Sequence, residues 1–178
     1  MKAADEIIKY FINFCHEALN LDIVQSAVFG IGVIAKRMDQ HSFSQYKNEC
    51  LQIIASIITA PDAYSEEKAV CTDNAVGALG KIALYQSQTN DKVSEEVLLK
   101  FLQLLPLKND SEEAQAVHKM LLTEIINKNA FLASCSQEVQ GVLINAITNI
   151  KTQDINNPEL EILDDQGKQL INSILEAK

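Results

Sequence analysis

Apolar residues recur every three to four positions along almost the whole chain, the spacing that lines one face of an α-helix. A first helix is predicted over residues 3–18, with Ile7, Ile8, Phe11, Ile12, Phe14 and Cys15 as its apolar stripe. After a short link at Asn20 and Leu21, Asp22 with Gln25 reads as a capping box, in which side chains satisfy the free amides of a helix start. The second helix then covers 23–38, carrying Val24, Ala27, Val28, Ile31, Ile34 and Ala35. Ser42 and Gln45 repeat the capping-box spacing ahead of a third helix over 43–59, with Phe43, Tyr46, Cys50, Leu51, Ile54, Ile57 and Ile58 inward. Pro61 ends it, because proline cannot continue the hydrogen-bond ladder. Ser65 opens a fourth helix over 66–86, with Val70, Ala75, Val76, Leu79 and Ile82 inward, and a polar link, 87–93, closes it. The pattern continues with a fifth helix over 95–105 that stops at Pro106 and a sixth over 111–128 capped by Asp110 with Glu113. A seventh fits 136–151 and an eighth 158–176. Short links favour antiparallel neighbours, and only 151–157 leaves room for a longer excursion. No alternating strand pattern and no hairpin dipeptide between apolar runs is present.

The chain repeats itself. The segment Gln25–Ala35 and the segment Asp73–Ala83 align at an offset of 48 residues. Ala27 then matches Ala75, Val28 matches Val76, Gly32 matches Gly80, Ile34 matches Ile82 and Ala35 matches Ala83. A weaker third copy places Ala116 and Val117 at the Ala-Val positions. Both clear copies are second helices of a pair, and a period of roughly 40–48 residues fits HEAT and armadillo repeats better than the shorter tetratricopeptide or ankyrin units. The expected fold is therefore all-α: a single α-α superhelix over 1–178, a solenoid of about four antiparallel helix pairs at 3–38, 42–86, 94–128 and 136–176. Glycine inside a helix costs about 1 kcal/mol relative to alanine. Gly30, Gly32, Gly77 and Gly80 all fall inside these helices, so a neighbouring helix is expected to come too close for a side chain. Gly30 and Gly32 do not form a phosphate loop, since no strand precedes them and no lysine follows at the required spacing.

Composition sharpens this picture in three ways. Apolar residues make up 47% of the 178 positions and charged residues 22%, enough to bury a core. The formal net charge is −9, which turns the surface away from nucleic acid and toward basic partners. Arg37 is the single arginine, so the usual bidentate reader of phosphate and guanine is nearly absent. Cys15, Cys50, Cys71 and Cys135 are far apart and show no metal or redox spacing, which fits reduced thiols in the cytosol or nucleus. No stretch resembles a signal peptide or reaches membrane-spanning length. The helical pattern reaches full strength within a few residues of Met1, as it would if Met1 were an added start.

Candidate chemistry is sparse. Cys15 and His16 are adjacent, and neighbours in a helix point about 100° apart, so they do not form a nucleophile–base pair. His16, His41 and His118 are scattered and form no metal-binding motif. No catalytic, cofactor or metal site is expected. The candidate cargo-contacting residues are acidic: Asp73, one turn into the fourth helix and off its apolar stripe, and Asp110, Glu112 and Glu113 at the start of the sixth. Glu112 and Glu113 also favour a helix start through the macrodipole, as Glu66 and Glu67 do in the fourth helix. In the last helix Leu160, Leu163, Leu170, Ile171, Ile174 and Leu175 face inward, while Gln166, Lys168, Gln169, Asn172 and Glu176 supply the polar outer face a terminal repeat needs.

Four stretches together resemble consecutive landmarks near the C-terminus of importin-beta-type nuclear import receptors: Ser26–Ala35, Thr72–Ile82, Leu104–Ala114 with its Leu-Pro-Leu element, and Leu163–Leu175. The resemblance covers residues 20–128 and the tail, and thins over 136–162. It implies a terminal segment of a much longer HEAT superhelix that binds proteins and catalyses nothing. It further implies basic cargo proteins such as ribosomal proteins and histones, Ran-GTP acting through an N-terminal region outside this chain, and phenylalanine-glycine nucleoporins on the outer face. No cofactor, no direct nucleic-acid contact and no membrane insertion are implied, and the receptor would shuttle between cytoplasm and nucleus. The rival readings are a HEAT or armadillo scaffold or adaptor subunit of another complex, and a small helical enzyme.

Overall fold

The computed structural model describes residues 2–176, with side chains from position 3 onward. Met1, on which the expectation of an added start rests, lies outside the described residues, as do 177 and 178. Among the described residues every regular element is helical: α1 (Lys2–Glu17), α2 (Leu21–Arg37), α3 (Gln40–Ile58), α4 (Ala69–Tyr85), α5 (Lys92–Gln103), α6 (Ser111–Ile126), α7 (Ala130–Ser134), α8 (Gln137–Asn156) and α9 (Asp165–Glu176), with a 3-10 turn at Pro158–Leu160. The all-α class is as the periodicity requires, and the helices pack in pairs in the HEAT manner. The chain divides into two compact units, one ending at Ser87 and the other beginning at Gln88.

Most helix starts differ from expectation, and local capping chemistry is the reason. Asn20, not Asp22, caps α2: its side-chain oxygen accepts from the Asp22 amide at 2.7 Å, leaving Asp22 as a favourable charge in the first turn. Asp39 caps α3 by accepting from the Ser42 amide at 2.9 Å, so the helix starts at Gln40 and Ser42 lies inside it. Asp91 does the same for α5, accepting from the Ser94 amide at 3.0 Å and starting the helix at Lys92. Asp110 caps α6 as expected, with the Glu113 amide 3.0 Å from its carboxylate. The fourth helix starts late, at Ala69, because residues 61–68 coil into turns, with the Ser65 carbonyl accepting from the amides of Lys68 and Ala69. Glu66 and Glu67 therefore sit before the helix.

In the second half, α7 was missed: five residues are too few for a periodic signal, and Asn129 holds them by accepting from the Phe131 and Leu132 amides. Helix α8 runs on to Asn156, so the longer excursion expected around 151–157 falls a few residues later, over 157–164. The expected eighth helix over 158–176 is broken. Glu161 adopts a left-handed conformation with φ 47°, and an irregular strap separates the 3-10 turn from α9. Leu163 is buried from that strap rather than from a helix.

In the first unit α2 packs most extensively on α4, while α1 covers α2 and α3 covers α4. Ile8, Val28, Ile31, Phe43, Ile54, Val76 and Ile82 form its fully buried core. Helices α2 and α4 approach so closely that a Cβ on Gly32 would stand 2.9 Å from the Ala78 Cα. The end of α4 ties this contact off. The Gln86 side-chain amide donates to the Ala35 carbonyl at 2.5 Å and the Met38 carbonyl at 2.8 Å, satisfying free groups at the end of α2. Lys47 of α3 donates to the Gln86 carbonyl at 2.7 Å, and Gln40 to that of Ser87 at 2.9 Å.

In the second unit α5 packs on α8 and α6 on α9 around Leu98, Phe101, Leu121, Leu122 and Ile150. Three side chains of α6 grip the strap. Gln115 donates to the Glu161 carbonyl at 2.6 Å, His118 bonds the Ile162 carbonyl through Nδ1 at 2.9 Å, and Lys119 pairs with Asp164. The second nitrogen of His118, Nε2, accepts from the Leu107 amide at 3.1 Å. With one nitrogen donating and the other accepting, the ring must be neutral, and burial holds its pKa down at about 4.

Two expected outcomes follow from this packing. Gly141 lies in α8 with nothing within 4 Å of an added Cβ, so Gly141→Ala should stabilise the protein by about 1 kcal/mol through helix propensity. Gly32→Val should instead destabilise it by roughly 1–3 kcal/mol by overpacking the α2–α4 crossing, both read by denaturant titration. For His118, the folded pKa lies below the unfolded value, so the unfolded chain binds the extra proton. Stability is then full above pH 6.5 and falls toward about pH 4, by on the order of 3 kcal/mol in total. Melting curves across this window should flatten in His118→Gln. Unchanged pH dependence in the variant would contradict the assignment.

Candidate protein-binding surface

The four acidic candidates fall in two places. Asp110, Glu112 and Glu113 share the first turn of α6, near its positive end, and Asp73 lies in the other unit on α4. Their exposure separates them. Glu112 is open to solvent and Asp110 half-buried, whereas Glu113 is only 4% exposed and Asp73 only 1%. Asp73 is thus not the solvated carboxylate on an open helix face that its place off the apolar stripe suggested. Helix α4 is buried on nearly every side from Ala69 to Leu84, and Thr72 and Asn74 beside Asp73 are buried with it. The Thr72 hydroxyl donates to the Ala63 carbonyl at 2.5 Å, and the Asn74 amide to the Val70 carbonyl at 2.9 Å. A ligand meets only what solvent reaches, so Glu112 is the member of the set best presented to a partner.

The periodicity also concealed an apolar groove between α1 and α2, of about 680 Å³. Ala3, Ile7 and Phe11 line it from α1, and Ser26, Phe29 and Val33 from α2, with Arg37 at one end. Ile7 is 45% exposed and Phe29 41%. The doubled apolar steps Ile7-Ile8 and Phe11-Ile12 were the available signal. They widen the stripe into two faces, of which only the Ile8 and Ile12 face is buried. Gly30 lies in the groove wall because the Phe11 ring occupies its side-chain space, 2.4 Å from where a Cβ would be. Lys81 stands 4.9 Å over the Phe29 ring and holds that side chain in place.

The thiols are poor nucleophiles. Burial pushes Cys15 up to about 11, helped by Cys71 nearby, and Cys50 up to about 12, helped by Glu49. Burial likewise raises Cys71, and lifts Cys135 to about 11 with a contribution from Glu95. His16 bonds Glu49 at 3.3 Å, away from any role as a base for Cys15. Among the described residues no group of three or more potential metal ligands converges, and no helix is long and apolar enough to cross a membrane.

No family model matches the chain. Over 122 residues it is 31% identical to a protein of Dictyostelium discoideum named as a probable importin-5 homolog. The matched stretch is 67% of this chain and 11% of that protein, so the chain spans about a tenth of the relative's length. The chain is thus similar to one stretch of a protein named as an importin, and its paired helices have the HEAT-like arrangement.

Proposed function

We propose that the chain is a segment near the C-terminus of an importin-beta-type nuclear import receptor of the karyopherin beta-3 kind. The importin reading rests on the 31% identity to the probable importin-5 homolog over 67% of the chain, and the stacked helix pairs fit it; the placement near the C-terminus and the beta-3 kind rest on the resemblance of Leu104–Ala114 and Leu163–Leu175. In this reading the protein binds and turns nothing over. The whole receptor takes basic cargo such as ribosomal proteins and histones, and Ran-GTP acts on it through an N-terminal region outside this chain. It passes the pore on phenylalanine-glycine nucleoporins and works in both cytoplasm and nucleus.

Physical support comes from the charge. A net −9 steers basic partners and speeds their encounter, and exposed carboxylates such as Glu66, Glu67, Glu96 and Glu112 are where such a field reaches solvent. Helix pairs that contact only their neighbours sum to an elastic array. Such an array can wrap a cargo and let go when a second ligand favours another curvature.

Affinity capture on the full-length receptor is the test. Basic proteins such as histones should be retained and then released by Ran loaded with a non-hydrolysable GTP analogue. Retention of no basic import cargo, or recovery of phosphatase catalytic subunits instead, would sink the proposal. The double variant Glu66→Lys with Glu112→Lys should weaken capture about two- to fivefold at low salt and much less at high salt, as exposed charges do.

A further inference from the structure

Three of the four thiols are scattered along the sequence yet gather in the first unit. Cys15 lies in the last turn of α1, Cys50 in the middle of α3 and Cys71 in the first turn of α4. Cys15 feels the charge of Cys71, and Cys50 feels that of Cys15, so Cys15 has a thiol neighbour on each of the other two helices. Side-chain contacts fix the α3 side. His16, next to Cys15, bonds Glu49, next to Cys50, at 3.3 Å, and the Tyr46 hydroxyl of α3 donates to the Asp5 carboxylate of α1 at 3.4 Å. Helix α1 packs on α3, while α2 and α3 are the helices that cover α4. Cys50 is fully buried and Cys15 half-buried. Among the described residues no set of metal ligands converges, so the chemistry open to these thiols is pairwise.

We propose that Cys15 and Cys50 form a reversible disulfide when the protein meets hydrogen peroxide, a redox latch that pins α1 to α3. Cys15 is the more exposed of the two, and its sulfur attacks the O–O bond of the peroxide. That bond breaks, leaving a sulfenic acid on Cys15 and releasing water. The Cys50 sulfur then attacks the sulfenic sulfur: the S–S bond forms, the S–O bond breaks and the oxygen leaves as a second water. Two thiols lose two electrons, one peroxide gains them, and both thiol protons end in the water formed. Burial holds the two thiols high, at about 11 and about 12, so closure is slow at neutral pH and answers sustained rather than momentary peroxide. Cys71 is the competitor for Cys15, and it lines a cavity of about 200 Å³ with Val24 and Ile57. Helices α1 and α3 each open a pair, so a bond between them crosses the joint of two pairs and fixes the angle there.

The test is to treat the folded 178-residue protein with hydrogen peroxide, quench with catalase, and alkylate the remaining thiols with N-ethylmaleimide in denaturant. Intact mass should show two of the four thiols protected, and peptides mapped without reduction should join Cys15 to Cys50 within one chain. Dithiothreitol should return all four to the reagent. Cys71→Ser and Cys135→Ser should keep the bridge, and Cys15→Ser and Cys50→Ala should lose it. The oxidised parent should melt roughly 5 °C or more above the reduced one, with slower amide exchange in α1 and α3. Peroxide should give no such gain in Cys15→Ser. The decisive reading is on the parent, so a variant that folds poorly does not blunt it. A bridge from Cys15 to Cys71, a bridge between two chains, or four thiols that stay free or pass only to sulfinic acid would overturn the proposal. No cargo and no Ran enter the experiment, so its failure and that of the proposed function are separate results.

Discussion

A pair of α-helices hides one apolar stripe between its own members and must find a second surface for the rest. In the first unit that surface is the neighbouring pair, and the contact is closest where Gly32 meets Ala78. A glycine in mid-helix gives up about 1 kcal/mol of helix propensity. The return is a crossing at which two backbones nearly touch, so that Val28, Ile31 and Ala35 of α2 and Ala75, Val76 and Leu79 of α4 are all buried. The same closeness decides which polar groups remain available. Thr72, Asp73, Asn74 and Lys81 lie on the most enclosed helix of the chain and are withdrawn from solvent with it.

Once pairs are stacked, their irregular connections become the expensive parts, because buried backbone groups must find partners. Each unit meets this cost with a long polar side chain. Gln86 closes the end of α2 by reaching two of its carbonyls. His118 joins two separate connections, accepting from the Leu107 amide in the α5–α6 link and bonding the Ile162 carbonyl in the strap before α9. A histidine can do this only when neutral, and its complete burial keeps it so at physiological pH. Lys119 and Gln115, one residue after and one turn before it, fix the rest of the strap. The Leu-Pro-Leu element is thus held by a specific polar contact as well as by its apolar flanks.

The sequence was most legible where physics is periodic. Helix class, helix number in the first half and the repeat between α2 and α4 follow from spacing alone, because burial imposes that spacing. It was least legible at boundaries. Asn20 competes with Asp22, and Asp39 with Ser42, for the same role, and only the backbone geometry chooses between them. The short α7 and the left-handed Glu161 carry no periodic signal at all. The candidate binding residues suffered from a related limit. A polar residue off the stripe of one helix is exposed only if no second neighbour covers it, and Asp73 shows that a helix with several neighbours breaks the rule. Ile7 and Phe14 err in the other direction: they have the spacing of a core and are about half exposed.

The remaining exposure is not uniform, and its two kinds call for different partners. The apolar groove of α1 and α2 offers area without charge apart from Arg37, a surface that rewards close shape over long-range attraction. Carboxylates such as Glu96 and Glu112 offer field without area. They bury little area, but in a chain of net charge −9 they contribute a long-range, salt-sensitive field that favours encounter with basic groups. Apolar contact in the groove and charge on the open faces therefore favour different classes of partner, the first through close fit and the second through long-range attraction.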